Sequence, residues 1–151
     1  MKIAIGSDHL GLSLKRFVMD VLREHGVEYE DFGSYSDEAV DYPDIGAKVA
    51  EALAGGAFDR GILICGTGIG MAIVANKVPG VRAAVAHDTY SAERARKSND
   101  AQVLAMGALV IGRETARKVV EAWLPAEFQG GGSAAKVAKI EQLDEKYRKL
   151  G

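Results

Sequence analysis

Three short stretches of the chain carry side chains that can do acid–base or nucleophilic chemistry, and each follows an apolar run. In chain order they are Gly6-Ser7-Asp8-His9, Cys65-Gly66-Thr67-Gly68-Ile69-Gly70 and His87-Asp88. Together they supply two carboxylates, two imidazoles and the only thiol of the chain, which stands beside a glycine-rich turn. Any of these groups can act as a general base when it is held close to the proton that it removes. If the fold brings the three stretches together, they form a ligand-binding site that presents carboxylates, imidazoles and a thiol.

The glycine-rich turn at residues 66–70 leads into a predicted helix that begins at Ile69. Its main-chain N–H groups could hold a small anion or a developing oxyanion, although a tight turn that needs positive φ has the same composition. A dinucleotide fingerprint is excluded because Met71 replaces its third glycine. A phosphate-binding P-loop at residues 6–13 is excluded because Leu12 replaces the lysine. Nucleotide binding is therefore disfavoured.

Each reactive side chain also has a structural interpretation. Cys65 is either a small apolar residue of the core or a base whose thiolate is favoured by the neighbouring helix N-terminus. Asp8 is either a helix cap or a ligand-binding carboxylate, and His9 beside it is either solvated or in the same cleft. Three histidines and one cysteine show no metal-ligand spacing, so we expect neither a metal nor another cofactor.

Strands that alternate with helices are needed to bring the three stretches together. Apolar and β-branched runs predict five strands, at residues 2–5, 27–32, 61–65, 81–86 and 103–106. Apolar spacing predicts helices at about 10–25, 45–54, 69–76, 90–97, 114–124 and 134–150. This order predicts one Rossmann-like α/β domain, with three α/β/α layers and a five-stranded parallel sheet. Ligands of such folds bind at the carboxyl ends of the strands, where all three stretches are predicted to lie.

Composition restricts the partners of the protein. Its 151 residues carry a net charge of −2, so there is no broad basic surface for nucleic acid or membrane. The opening MKIAIG is too short an apolar run for a signal peptide or a membrane span. A lone cysteine excludes an internal disulfide and fits a reducing compartment. We therefore expect a soluble, cytoplasmic protein, in which a local cationic pocket for a small anion is still possible.

Eight motifs follow one another along the chain: Gly6-Ser7-Asp8-His9, Asp41-Tyr42-Pro43, residues 61–70, Ala75-Asn76-Lys77, Tyr90-Ser91-Ala92, Asn99-Asp100, residues 103–107 and Phe128-Gln129-Gly130-Gly131. In this order they resemble the type B ribose-5-phosphate isomerase family, which also includes galactose-6-phosphate and allose-6-phosphate isomerases. The resemblance implies a metal-free aldose–ketose isomerase that moves a proton between C2 and C1 through an enediolate. It also implies a homodimer with sites between subunits, in which helix 134–150 packs on the partner; a tetramer stays open.

The same resemblance implies roles for individual residues. Cys65 matches the catalytic base, and Thr67 matches the residue that assists proton movement between O1 and O2. The main-chain amides of Gly66, Gly68, Ile69 and Gly70 match the groups that stabilise the enediolate. Asp8, His9 and Asn99 match substrate contacts.

Two departures from the family pattern concern the substrate. Ser98 stands where the ribose isomerases of the family carry a histidine that opens the sugar ring. Gly132, Ser133 and Lys136 stand where the family carries an Arg-His pair and a second arginine that bind phosphate. One lysine, Lys136, is therefore left at the phosphate, and Arg113 and Lys139 are candidates to compensate.

Ring opening is needed only when the substrate closes a ring. A four-carbon aldose phosphorylated on O4 has no hydroxyl left for a five-membered ring, so Ser98 is compatible with a tetrose 4-phosphate. It is equally compatible with a pentose phosphate whose ring is opened by His9 or His87. Ribose 5-phosphate is the default expectation, and tetrose 4-phosphate, allose 6-phosphate and galactose 6-phosphate are the alternatives. A non-catalytic sugar-phosphate binding protein is the alternative of another class.

Overall fold

In the computed structural model, which describes residues 1–149, five strands alternate with five helices, and a sixth helix follows the fifth. The strands are β1 (Lys2–Ser7), β2 (Glu28–Asp31), β3 (Arg60–Cys65), β4 (Ala83–Val85) and β5 (Val103–Gly107). The helices are α1 (Leu12–Glu24), α2 (Tyr42–Ala54), α3 (Ile69–Ala75), α4 (Thr89–Lys97), α5 (Arg113–Trp123) and α6 (Gly132–Arg148). The last helix was predicted to end at residue 150, which lies outside the described residues.

The strands form one parallel sheet in the order β2-β1-β3-β5-β4. The order reverses between β1 and β3, which is the position where doubly wound sheets open a crevice for ligands. Ser7 at the end of β1 pairs with Ile64, one residue before the end of β3. Asp8 and Cys65 therefore emerge side by side at this crevice. The predicted Rossmann-like three-layer fold with a five-stranded parallel sheet is confirmed.

The two faces of the sheet carry separate hydrophobic cores. Every residue of β3 is buried, as expected for a central parallel strand, and its side chains alternate between the faces. Ile62 and Ile64 pack in the core that is closed by α1 and α5. Leu63 and Cys65 pack in the core that is closed by α2 and α3. The thiol is thus held on the α2 and α3 side of the sheet.

The C-terminal helix α6 lies against the turn that precedes β4. Asp144 accepts a hydrogen bond from the Gly80 N–H at 3.1 Å, and Glu141 pairs with Arg82. Val137 is the residue of α6 that is buried, whereas its other large apolar side chains are exposed. Packing of this helix on a partner subunit stays a prediction. Within residues 1–149, every helix is too short or too polar to cross a membrane.

Candidate functional site

A pocket of about 480 Å³ opens at the carboxyl ends of β1 and β3. Its lining residues are Asp8, Leu10, Tyr42, Cys65, Gly66, Thr67, Ile69, Gly70, Ile73 and Leu109. The structure thus brings the predicted base Cys65 and the predicted proton relay Thr67 into one pocket with the carboxylate of Asp8. The main chain of the glycine-rich turn forms part of the same wall.

Cys65 combines the two interpretations that the sequence left open. Its side chain is 4% exposed and packs in the α2 and α3 core, yet it also lines the pocket. The Sγ atom accepts a hydrogen bond from the Gly68 N–H at 3.2 Å. Gly68 has φ +80°, and a Cβ there would lie 2.8 Å from the carbonyl carbon of Met106. A glycine is therefore required at this position to fold the turn back over the sulfur.

The segment that follows β5 holds the glycine-rich turn in place through main-chain hydrogen bonds. The Ala108 N–H donates to the Cys65 carbonyl at 2.8 Å, and the Leu109 N–H donates to the Gly66 carbonyl at 3.0 Å. Thr67 is exposed, and its Oγ1 accepts a hydrogen bond from the Ile69 N–H at 3.2 Å. These bonds fix the positions of the thiol and the hydroxyl relative to each other.

Asp8 stabilises the turn before α1 and also lines the pocket. Its Oδ1 accepts a hydrogen bond from the Gly11 N–H at 3.0 Å, which closes the turn that leads into α1. The residue is 5% exposed and still contributes to the pocket lining. The turn therefore holds the carboxylate at the edge of the pocket.

Tyr42 is a pocket residue to which the sequence analysis gave no role. A Cβ on Gly70 would lie 2.4 Å from ring atoms of Tyr42 and 2.7 Å from its hydroxyl oxygen, so the ring lies directly against Gly70. In the sequence, only Pro43 indicates where Tyr42 lies. Proline favours the first turn of a helix, and Tyr42 is the first residue of α2. The contact with a turn 28 residues further along the chain leaves no trace in local periodicity.

His9 and Arg113 line a neighbouring cavity of about 620 Å³, which also contains Arg16 and Ser13. This cavity and the Cys65 pocket share Leu10. The Nδ1 atom of His9 accepts a hydrogen bond from the Val40 N–H at 3.2 Å. Because Nδ1 is an acceptor, the neutral ring carries its proton on Nε2. His9 thus has a donor available on the other nitrogen.

His87 supports the end of β5. Its Nε2 accepts a hydrogen bond from the Gly107 N–H at 2.8 Å, and burial lowers the pKa of the imidazole. The residue belongs to the lining of neither cavity described above. Its role in ring opening stays a prediction. Residues 1–149 contain no group of three or more histidine, cysteine, aspartate or glutamate side chains placed to hold a metal ion.

Ser98, Asn99 and Lys136 lie away from the Cys65 pocket within one chain. The Asn99 carbonyl accepts a hydrogen bond from Nε of Arg82 at 3.3 Å, and Arg82 immediately precedes β4. Because the sheet is parallel, this is the edge opposite to the carboxyl ends of the strands. Ser98 accepts a bond from Arg94, and Lys136 is exposed on α6. Their predicted roles at the site require a second copy of the chain.

Comparisons with known proteins cover nearly the whole chain. The model of a family described as Ribose/Galactose Isomerase matches residues 3–140. Ribose-5-P isomerase B of Listeria innocua is 55% identical over 148 residues, which are 98% of this chain and 100% of that protein. D-erythrulose-4-phosphate isomerase of Pectobacterium atrosepticum is 56% identical over 142 residues, 93% of each chain. The solved structure of ribose-5-phosphate isomerase B from Clostridium thermocellum has a TM-score of 0.95 at 54% identity, and the match covers 97% of this chain and 99% of that one.

Proposed function

The chain belongs to the ribose/galactose isomerase family, and on that premise we propose that it is an aldose–ketose isomerase of a small sugar phosphate. The default reaction is the interconversion of ribose 5-phosphate and ribulose 5-phosphate. One observation carries the proposal: Cys65 lines a pocket that is also lined by Thr67 and by residues of the glycine-rich turn. A base, a proton relay and main-chain donors are the groups that this reaction needs.

The reaction removes a proton from C2 of the open-chain aldose and returns a proton to C1. The Cys65 thiolate takes the C2 proton, the C2–H electron pair forms the C1–C2 double bond, and negative charge develops on O1. Thr67 moves a proton between O1 and O2. The thiol then returns its proton to C1, which leaves the carbonyl at C2. General-base catalysis of this kind contributes about 10²- to 10⁴-fold to the rate.

Main-chain N–H groups support both the base and the intermediate. The Gly68 N–H already donates to Sγ, a bond that an anionic sulfur accepts more strongly than a neutral one. Gly66, Ile69 and Gly70 line the pocket, and we assign their amides to the enediolate oxygens, for which the Ile69 N–H exchanges its bond to Thr67 Oγ1 for one to the substrate. Loss of one such donor typically costs about 10²- to 10³-fold in turnover. We assign Asp8 to a substrate hydroxyl.

A homodimer is part of the proposal, because the rim of the pocket is apolar. Leu10, Ile69, Ile73 and Leu109 are each at least 50% exposed, and such a continuous apolar rim is typical of surfaces that another protein covers. A second copy could bring Ser98, Asn99 and Lys136 to the pocket. Replacing Ile73 by Asp should then shift the protein to a monomer in sedimentation experiments. The single cysteine supports a cytoplasmic location.

A tetrose 4-phosphate is the second candidate substrate. The 56% identical relative from Pectobacterium is named for D-erythrulose 4-phosphate, and Ser98 offers no imidazole for ring opening. An open-chain tetrose phosphate needs no such group. This candidate differs from the default only in the sugar, since the same base and the same turn would act on C1 and C2.

Steady-state kinetics with ribose 5-phosphate, erythrose 4-phosphate, allose 6-phosphate and galactose 6-phosphate test the proposal. We expect turnover of at least one substrate, and Cys65→Ser should lower kcat by at least about 10²-fold with unchanged folding. A wide margin of kcat/KM in favour of ribose 5-phosphate would remove the tetrose candidate. Saturable binding without turnover of any of the four would leave a binding protein and overturn the isomerase proposal.

A further inference from the structure

Two arginines without an acidic partner lie in the cavity beside the reaction pocket. Most arginines of residues 1–149 have a carboxylate within 4.0 Å: Arg23, Arg60, Arg82, Arg96, Arg117 and Arg148. Arg16, Arg94 and Arg113 form no such pair within the described part of the chain. Arg16 and Arg113 both line the cavity of about 620 Å³, although they are far apart in sequence. The fold has therefore brought two uncompensated guanidinium groups to one place.

Neutral contacts orient both guanidinium groups. Arg113 donates from Nη2 to the Ser13 hydroxyl at 3.1 Å, and its guanidinium carbon lies 5.7 Å from the centre of the Phe17 ring. Arg16 donates from Nη2 to the Tyr35 carbonyl at 3.3 Å. Each of these bonds uses one N–H group of a guanidinium group. The remaining N–H groups and the positive charge are available to a ligand. Two such groups suit an anion with several oxygens, because guanidinium binds phosphate in a bidentate manner.

The acidic groups on the same wall do not cancel this charge. Asp20 also lines the cavity, but it is paired with Arg23. Asp37 is exposed and forms no ion pair within residues 1–149, so its negative charge offsets the positive charge of one of the two arginines. His9 adds a donor from its Nε2 when the ring is neutral. The net charge of the cavity lining is therefore positive, although the net charge of the whole chain is −2.

The cavity adjoins the reaction pocket. Leu10 lines both, Asp8 lines the reaction pocket, and His9 lines the cavity. A sugar phosphate whose carbonyl end lies at Cys65 could therefore direct its phosphate toward the second cavity. We propose that Arg16 and Arg113 bind the substrate phosphate in this chain, a subsite that rests on the proposed isomerase function. In this arrangement one chain supplies its own phosphate site, and Lys136 on α6 is not needed for it.

The test compares Arg16→Ala, Arg113→Ala and the double variant with Lys118→Ala. Lys118 is an exposed cation on α5, the helix that carries Arg113, and it is not part of the cavity. Each arginine variant should raise KM for the sugar phosphate about 10- to 100-fold, with a smaller effect on kcat, because it removes charged hydrogen bonds. Inorganic phosphate should inhibit competitively, and its inhibition constant should rise by a similar factor. Lys118→Ala should leave both constants within about twofold.

Asp37→Asn provides a change in the opposite direction. Removing this carboxylate should tighten phosphate inhibition by a few fold, because a like charge no longer opposes the ligand. Circular dichroism and urea unfolding of every variant exclude misfolding as the cause of a higher KM.

The outcomes separate failure of the subsite from failure of the proposed function. If the arginine variants turn over sugar phosphate with KM and phosphate inhibition equal to those of Lys118→Ala, the phosphate binds elsewhere and the isomerase assignment stands. If the wild-type protein turns over no sugar phosphate, calorimetry with inorganic phosphate still decides about the cavity. Binding to the wild-type protein that the double variant loses supports the anion site, and equal binding by both overturns it.

Discussion

Gly107, the last residue of β5, is packed against the turn that carries the reactive groups. A Cβ at this position would lie 2.6 Å from the carbonyl carbon of Thr67 and 2.7 Å from its Cα and O atoms. Main-chain atoms of Thr67 cannot rotate away from such a contact. To restore an ordinary van der Waals distance, the turn must retreat by about 1 Å in the variant Gly107→Ala. The same movement would displace the Thr67 hydroxyl within the pocket that it shares with Cys65.

A misplacement of about 1 Å at reacting groups can cost about 10²-fold in rate. We therefore expect Gly107→Ala to lower kcat by about two orders of magnitude. Overpacking should also lower the free energy of unfolding by about 1–3 kcal/mol. Steady-state kinetics with the best sugar phosphate measures the first effect, and urea unfolding measures the second. The hydrogen bond from the residue 107 N–H to His87 is retained by alanine, so it does not contribute to the difference.

Gly112→Ala is the matched control. This glycine follows in the same connection, a Cβ there would have no neighbour within 4 Å, and its φ of −85° suits any residue. Its kcat should stay close to that of the wild-type protein. If Gly107→Ala folds normally and keeps kcat within about threefold of the control, the turn position does not limit the chemistry and the reasoning is wrong.

Three further predictions concern stability, each measured by urea unfolding. Lys15 is fully buried and donates to Asp31 at 2.6 Å, so Lys15→Met should cost about 3 kcal/mol, and a loss below about 1 kcal/mol would contradict this. Burial lowers the pKa of His87 in the folded protein below its ordinary value of 6.5. The neutral imidazole therefore contributes fully to the free energy of unfolding above pH 6.5, and this contribution is lost as the pH falls through the pKa of the folded state. In His87→Gln the free energy of unfolding should depend less on pH. If it changes with pH as steeply as in the wild-type protein, His87 is not the source of the dependence. Asp88 accepts a hydrogen bond from the Ser91 N–H at 2.7 Å at the start of α4, so Asp88→Ala should lower the free energy of unfolding, whereas Asp88→Asn should lower it less.

Local sequence patterns predicted the sheet and its strand ends because buried parallel strands are continuous apolar runs. The strand predicted at 61–65 is β3, observed as Arg60–Cys65, and its end marks the position of the thiol. The strand predicted at 81–86 is shorter in the structure, Ala83–Val85. It lies at the edge of the sheet, where one neighbour supplies all the pairing. The helix predicted from residue 45 begins at Tyr42, because Pro43 fixes its first turn.

Contacts between elements that are distant in sequence could not be predicted in this way. Arg16 and Arg113 share a cavity because α1 and α5 pack on the same face of the sheet, a fact that neither helical pattern contains. The contact of Tyr42 with Gly70 depends in the same way on how α2 packs against α3. The position of Asn99 followed from topology alone, since a helix between parallel strands ends at the edge where the next strand begins.

The central claim is that the Cys65 sulfur carries a proton between C2 and C1, and isotope exchange in D₂O tests it most directly. NMR of the aldose phosphate recovered at equilibrium reports deuterium at C2 for the wild-type protein and for Cys65→Ser. We predict incorporation by the wild-type protein at a rate comparable to turnover, and at least about 10²-fold slower incorporation by a folded Cys65→Ser variant. Incorporation at the wild-type rate by that variant would show that another group removes the proton.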